Sequence, residues 1–552
     1  MQQLFPMANE RKRVVYGTFS RKLWSTYQKY MKGDCIPFNS IRDAFNELNL
    51  YPSLTQVHEM VWSTKECPAH NSGEGLGFGE FCVFVNELEE YYKKGQDSLK
   101  AVKEIQKCQK AEKTKYKDQV FLGGSCNPTT WRSDCAVPYL EKQGISYFNP
   151  QVEKWDVHQI GKEHEAKMAS EVLLFVIDNR TRASSSLIEI AYSVGSQRQV
   201  LLVIHDNESK IPKSELEELK TSYDLITDIS ERSGYPVFRD LNTSLKCLNR
   251  MLKQHIKVQQ LSSNDGARPV KHGHLRLGHS LQYLWEVFVQ YSEGADKLSY
   301  KQACDAFHYT TGQLLDTGWM QPLVNGSEAM SFSTFCCLVM EAKSQLALCY
   351  PSLRQLLTNT LFILLSITKT VPNWLGWMFG RNSALKSKQV EKKYDFYLGG
   401  SYKSQNWRED IVLPILREHN CSSTFSQNGV WSWETSSLNN ALHDECQLLL
   451  YVITSDVCAL TYMIQAAYYI GQGYRVVLCL QMIPEETSTL FQGEKIDEQA
   501  LQDYNRGRSY LRDIAERENV AVFSDIKEAV LHAVQIIKPS PPTLVMTEKV
   551  TI

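Results

Sequence analysis

The sequence predicts an α/β plus α protein: two doubly wound parallel-sheet domains, each preceded by a helical pair. Three observations predict it. Two long stretches of the chain repeat one another in register. Within each, short continuous apolar runs alternate with amphipathic stretches. The segments before them carry apolar residues at helical spacing. At 552 residues the chain has room for several domains, roughly three or four on length alone.

Phe121–Asp134 (FLGGSCNPTTWRSD) matches Tyr397–Asp410 (YLGGSYKSQNWRED), an offset of 276 residues. The same offset relates Trp155 to Trp431, LLFVI at Leu173–Ile177 to LLYVI at Leu449–Ile453, and VLLVI at Val200–Ile204 to VVLCL at Val476–Leu480. DISERSGYPVFRD (Asp228–Asp240) matches DIAERENVAVFSD (Asp513–Asp525) at a slightly larger offset. Inside each copy the order alternates strand and helix. QVFLGG stops at a Gly-Gly turn, and a helix-like stretch follows around Trp131–Gln143, with Pro138 as a kink or boundary. LLFVI, an amphipathic stretch around position 189 and VLLVI come next. Continuous apolar strands between helices imply a parallel sheet covered on both faces. Ligands of such sheets bind beyond the carboxyl ends of the strands, where Gly123, Gly124, Ser125 and Asp178 fall.

The preceding segments repeat as well. LWSTYQKYMKG (Leu23–Gly33) parallels LWEVFVQYSEG (Leu284–Gly294), and GFGEFCVFVNELE (Gly77–Glu89) parallels SFSTFCCLVMEAK (Ser331–Lys343). The helix–loop–helix order resembles paired EF-hands, with Ile36 and Leu76 as the residues that join two loops through a short strand. Calcium loops need oxygen ligands at their first, third, fifth and twelfth positions. Those positions hold Lys29, Met31, Gly33 and Ser40 in the first loop, and Ala69, Asn71, Gly73 and Glu80 in the second. The second pair offers Tyr291, Glu293, Ala295 and Gln302, then Leu323, Asn325, Ser327 and Thr334. These are scaffolds with no metal site expected. The domains then run 15–95 (helical pair), 96–117 (helical linker), 118–260 (α/β), 261–278 (linker), 279–345 (helical pair), 346–392 (apolar linker) and 393–540 (α/β).

A net charge of −2 argues against a nucleic-acid partner. The 15 cysteines form no CxxC pair, which suits buried thiols in a reducing, cytoplasmic setting. Leu353–Arg381 holds a short apolar run, Leu361–Ile367, interrupted by Lys369 and Pro372. It is read as a helix packed between domains, with membrane contact as the alternative.

FLGGS with Trp131-Arg132, then LLFVI, then LIEIAYSVGSQRQVLLVIHD resemble the nucleoside 2-deoxyribosyltransferases. The resemblance covers about 120 residues per copy and implies a flavodoxin-like domain that cleaves N-glycosidic bonds through a glutamyl-glycosyl intermediate. It places Glu189 on the nucleophile. Retaining glycosyl transfer also needs a group that protonates the leaving base, and Glu163, Glu165 and Asp178 are the nearby carboxylates. Gly123, Gly124 and Ser125 would let a ribose or phosphate approach the backbone. The chain departs from the family where an aspartate and a glycine usually precede the nucleophile: it has Thr181–Ser185, and Arg182 there suits a phosphate or acidic peptide. Two other readings of Glu189 stand beside the nucleophile, a helix N-terminal glutamate favouring the dipole and a ligand-binding carboxylate.

In the second copy Gln465, Thr454, Asn439 and Ala441 replace Glu189, Asp178, Glu163 and Glu165. That copy is expected to be catalytically dead. Trp131/Trp407 and Trp155/Trp431 persist in both copies and are read as packing aromatics. The whole order also resembles the Raw-repeat proteins, which implies a developmental signalling regulator that restrains Jun N-terminal kinase signalling. Three functions follow as expectations: a regulatory pseudoenzyme with a protein partner or nucleotide-like ligand, an N-glycosidase or deoxyribosyltransferase acting through Glu189, and a membrane-tethered adaptor. No cofactor is expected.

Overall fold

Apolar runs bounded by turn residues become strands, and the amphipathic stretches between them become helices. The computed structural model describes residues 17–67, 75–108, 117–152, 155–205, 211–270, 276–315, 329–349, 392–401, 406–426, 431–484, 490–491, 494–495 and 497–538. They divide into two units: one takes 1–52, 56–110 and 275–389, the other 53–55, 111–274 and 390–552. Each unit therefore draws on both halves of the chain.

The helical unit begins with α1 (Thr18–Tyr30), β1 (Ile36–Pro37), α2 (Phe38–Glu47), α3 (Leu54–Lys65), β2 (Gly75–Leu76) and α4 (Phe78–Cys108). Ile36 pairs with Leu76 in an antiparallel two-residue ladder. The stretch read as a linker from 96 starts as the continuation of α4.

The first α/β copy contains β3 (Asp118–Gly124), α5 (Val137–Gln143), β4 (Tyr147–Phe148), α6 (His158–Met168), β5 (Ser170–Asp178), α7 (Ser184–Gly195), β6 (Val200–His205), α8 (Lys213–Arg232), β7 (Val237–Phe238) and α9 (Leu241–Gln254). Its strands are parallel in the order β4-β3-β5-β6-β7. This is a doubly wound order whose switch point lies between β3 and β5. Trp131–Gln143 is one continuous helical run in which Arg132–Ala136 forms a π-helical turn, so Pro138 stands just after a change of helix type.

α10 (His279–Ser292), α11 (Tyr300–Thr311) and α12 (Phe332–Cys349) complete the helical unit. Leu298 bridges Met330 as Ile36 does Leu76. The two helical pairs share one core, in which Phe45, Phe81, Phe84, Phe288 and Phe335 are fully buried. They also cap each other. Glu341 on α12 accepts from the N–H groups of Phe19 (3.2 Å) and Ser20 (2.8 Å) at the start of α1. Glu87 on α4 accepts from Gly278 (3.1 Å) and Ser280 (2.7 Å) at the start of α10. Glu87 and Glu341 occupy the same place in the two matched segments.

The second α/β copy has β8 (Tyr394–Gly400), α13 (Leu413–Glu418), β9 (Ser423–Thr424), α14 (Trp433–Asp444), β10 (Cys446–Ile453), α15 (Leu460–Gly471) and β11 (Val476–Leu480). A hairpin of β12 (Leu490–Phe491) and β13 (Glu494–Lys495) precedes α16 (Glu498–Arg517), β14 (Ala521–Phe523) and α17 (Ile526–Ile537). Its sheet order, β9-β8-β10-β11-β14, repeats that of the first copy.

The two copies meet through α7 and α15, the helices that carry Glu189 and Gln465. A Cβ on Gly195 would lie 2.5 Å from the Tyr468 carbonyl oxygen, and one on Gly471 would lie 2.5 Å from that of Tyr192. The same positions thus face each other in both directions, the pattern of an isologous interface. Among the described residues no helix is long and apolar enough to cross a membrane. The segment 353–381 lies outside the described residues.

Candidate functional site

Glu189 sits in the second turn of α7, after a left-handed N-cap at Ala183 (φ 48°). It is therefore too far along the helix to cap the first backbone donors. Its carboxylate instead bonds the ammonium of Lys167 on α6, in an ion pair only 8% and 12% exposed. Burial pushes the Lys167 ammonium down to about 8, against the pull of Glu163 one helical turn before it and of Asp513. The cation also faces the rings of Phe121 (5.5 Å) and Tyr510 (5.7 Å).

Tyr510 comes from α16 of the second copy. It donates to Glu163 Oε2 at 2.8 Å, and its ring stacks on Trp155 at 6.2 Å. Burial raises the pKa of Glu163, with Lys167, the Tyr510 hydroxyl and Arg132 working against the rise. Arg506, one turn before Tyr510, places its guanidinium 4.6 Å over Trp155. The first copy's site is thus walled by the second copy.

The exchange is reciprocal. In the second copy Asn439, His443 and Gln465 take the places of Glu163, Lys167 and Glu189. α8 of the first copy supplies Asp228 and Arg232, joined at 2.8 Å and 2.9 Å. Ser436 donates to Asp228 at 2.6 Å. His443 is fully enclosed: Nδ1 meets the Asn439 carbonyl, Nε2 meets the Tyr451 hydroxyl at 3.0 Å, and burial pushes its pKa down to about 3. It is a neutral imidazole. A cavity remains among Asp228, Arg232, Trp431, Asn439, His443 and Gln465. At the positions of Lys167 and Glu189 the second copy thus has an imidazole and a carboxamide.

Glu163 joins Glu189 around Lys167, whereas Glu165 faces solvent on the opposite side of α6. Asp178 is buried and gripped by Arg180 (2.6 Å and 2.9 Å). Arg182 does not reach Glu189. It binds Glu215 at 2.6 Å and 2.8 Å, with Asp497 and Asp503 farther out. Its charge is thereby already matched by carboxylates. Gly123 and Gly124 are required by the sheet: a Cβ would lie 2.3 Å from the Phe175 ring and 2.1 Å from the Val176 carbonyl, and Gly124 has φ +111°. Gly399 and Gly400 stand equally close to Tyr451 and Val452, so packing alone accounts for their presence in both copies. Trp131 Nε1 donates to the Ser125 carbonyl at 2.9 Å, and Arg132 binds the carbonyls of Leu122, Gly124 and Ser125. The Trp-Arg pair clamps the turn.

Sequence reasoning missed Lys167, His443 and Tyr510. A signal existed for the first two: they share the repeat offset and stand four residues after positions 163 and 439. Tyr510 had none, because only the packed copies bring it there.

Residues 117–207 match the family described as nucleoside 2-deoxyribosyltransferase like. That span runs from the start of β3 through β6 and includes Glu163, Lys167 and Glu189. No curated protein and no solved structure matches the chain.

Proposed function

We propose that the protein is a regulatory pseudoenzyme, in which a transferase-like fold serves as a binding scaffold for a partner protein. The observation that carries this reading is the state of the two equivalent sites. In the first, the carboxylate expected to attack a sugar is held by the Lys167 ammonium in a buried pair. In the second, a neutral imidazole and a carboxamide replace that pair. Each is also covered by a helix of the other copy. A nucleophilic carboxylate must be open to the anomeric carbon, and a lysine in contact competes for it. The regulatory part of the reading rests on the Raw-repeat resemblance, and the partner is of protein class.

A second reading has one specific observation in its favour. Glu163 and Glu189 flank the same lysine, and burial raises Glu163 toward the range of a general acid. On that reading Glu189 attacks and Glu163 protonates the leaving base. Incubation of the purified protein with nucleosides and nucleotides, with free base followed by chromatography, decides between them. The pseudoenzyme reading expects no base from the wild type. Base release that is lost in Glu189→Gln would establish the N-glycosidase.

A further inference from the structure

We propose that the face shared by α10 and α11, where Tyr283, Tyr291 and Tyr309 gather beside Glu286 and Asp305, docks a proline-rich segment of a partner protein that carries an arginine or lysine. The proposal rests on the reading of the chain as a scaffold for a protein partner, and it names the surface and the chemistry of what binds there.

Tyr283 and Tyr309 are 43% and 57% exposed, so neither ring is there to fill the core. The rings of Tyr291 and Tyr309 lie 5.9 Å apart, one from each helix. Burial, and then the phenols of Tyr309 and Tyr291, raise the pKa of Tyr283, which sets the three hydroxyls within one another's field. Single exposed apolar residues are ordinary, but a cluster of large rings marks a surface that meets something. The first helical pair shows the alternative on the same fold. There Lys22 and Glu47 take the places of Tyr283 and Tyr309, and Tyr30 that of Tyr291. Glu47 accepts from Lys29 (2.6 Å) and from the Tyr30 hydroxyl (2.9 Å). The first pair thus closes this face with a solvated polar network, whereas the second presents rings.

Charge and hydrogen bonding select the occupant. Residues 279–311 hold four carboxylates and two lysines, while the matching residues 18–49 hold three carboxylates and five lysines and arginines. The surface has changed sign along with its rings. Glu286 lies one turn after Tyr283 and Asp305 one turn before Tyr309, both exposed, which favours a basic side chain at the rim. Tyrosine faces stack on proline rings, and their hydroxyls donate to the carbonyls that a polyproline II segment leaves without internal partners. An amphipathic helix has already satisfied its own carbonyls, and its apolar face needs a groove rather than a row of exposed phenols. An acidic segment would meet Glu286 and Asp305.

The test uses the full chain and isothermal calorimetry with synthetic probes: a polyproline peptide ended by two arginines, the same peptide ended by two glutamates, and the two arginines on a glycine–serine chain of equal length. The proposal expects the basic proline peptide to bind and the other two to bind about tenfold more weakly or worse. Tyr283→Ser and Tyr309→Glu should each weaken the basic peptide by about tenfold. Both side chains are exposed, so the fold is kept, and Tyr309→Glu adds a carboxylate that would strengthen binding by charge alone. Lys22→Ala in the first pair should leave the affinity unchanged. No heat from the basic proline peptide up to about 1 mM would overturn the proposal, as would equal binding by the glycine–serine probe or by either tyrosine variant. Stronger binding of an amphipathic leucine–lysine helix at the same tyrosines, or a dimer in sedimentation that Tyr309→Glu dissolves, would give the face to another occupant and overturn it too. Base release from nucleosides tests Glu189 and does not involve these tyrosines, so failure of the scaffold reading is distinguishable from failure of this one.

Discussion

Lys167 and Glu189 are opposite charges buried in contact, and neither is stable there alone. Removing one partner of a buried pair strands the other, which typically costs about 3–5 kcal/mol. Lys167→Met should therefore lower the stability of the α/β unit by about that amount in urea unfolding. Glu189→Gln added to Lys167→Met should recover most of the loss, giving a large coupling energy in the double-mutant cycle. Additive losses would show that the pair is not a unit. The second copy carries His443 and Gln465 at the two equivalent positions, neither of them a lysine or a carboxylate. His443 gives the residue scale its pH dependence. Burial lowers its pKa from 6.5 to about 3, so between those values the unfolded chain binds more protons than the folded one. Stability is then full above the upper value and lost as pH falls, by up to about 1.4 kcal/mol per pH unit. His443→Phe should flatten that acid slope, and an unchanged slope would mean that another group titrates there.

At the scale of elements, α7 and α15 are joined by close backbone approach at Gly195 and Gly471. Gly195→Val and Gly471→Val each force the helices apart and should destabilise the α/β unit by about 1–3 kcal/mol. The reciprocal contacts predict similar losses for the two. Unfolding midpoints equal to wild type would place the interface elsewhere. Much at this scale was legible from the chain alone. LLFVI and VLLVI could only be covered strands, and the 276-residue offset carried the whole order to the second copy. The short strands Tyr147–Phe148 and Val237–Phe238 were not legible, because two-residue edge pairings leave no periodic trace. Nor was the wall of the first site. Tyr510 lies some 320 residues from Glu189 in sequence, and its contact with Glu163 depends on how two folded copies meet. Glycines 123 and 124 misled for the opposite reason: the same residue type suits a ligand cradle and a tight sheet crossing, and here Phe175 and Val176 take the space. Arg182, in the loop before α7, misled similarly, since Glu215 lies 33 positions away on α8.

At the scale of the whole molecule, duplication and packing are linked: helical pair meets helical pair and α/β copy meets α/β copy. The helical pairs share a core and cap one another through Glu87 and Glu341. The α/β copies exchange α8 and α16 across their sites. Such a chain behaves as a fused pair in which neither half is complete, and the central claim is that each half finishes the other's sites. The most direct measurement is to divide the chain between Pro269 and Leu275, produce the halves separately and together, and weigh the products by sedimentation. Co-produced halves should associate one to one, and each alone should aggregate or pair with itself to cover its exposed interface. Two stable monomeric halves that ignore one another would contradict it.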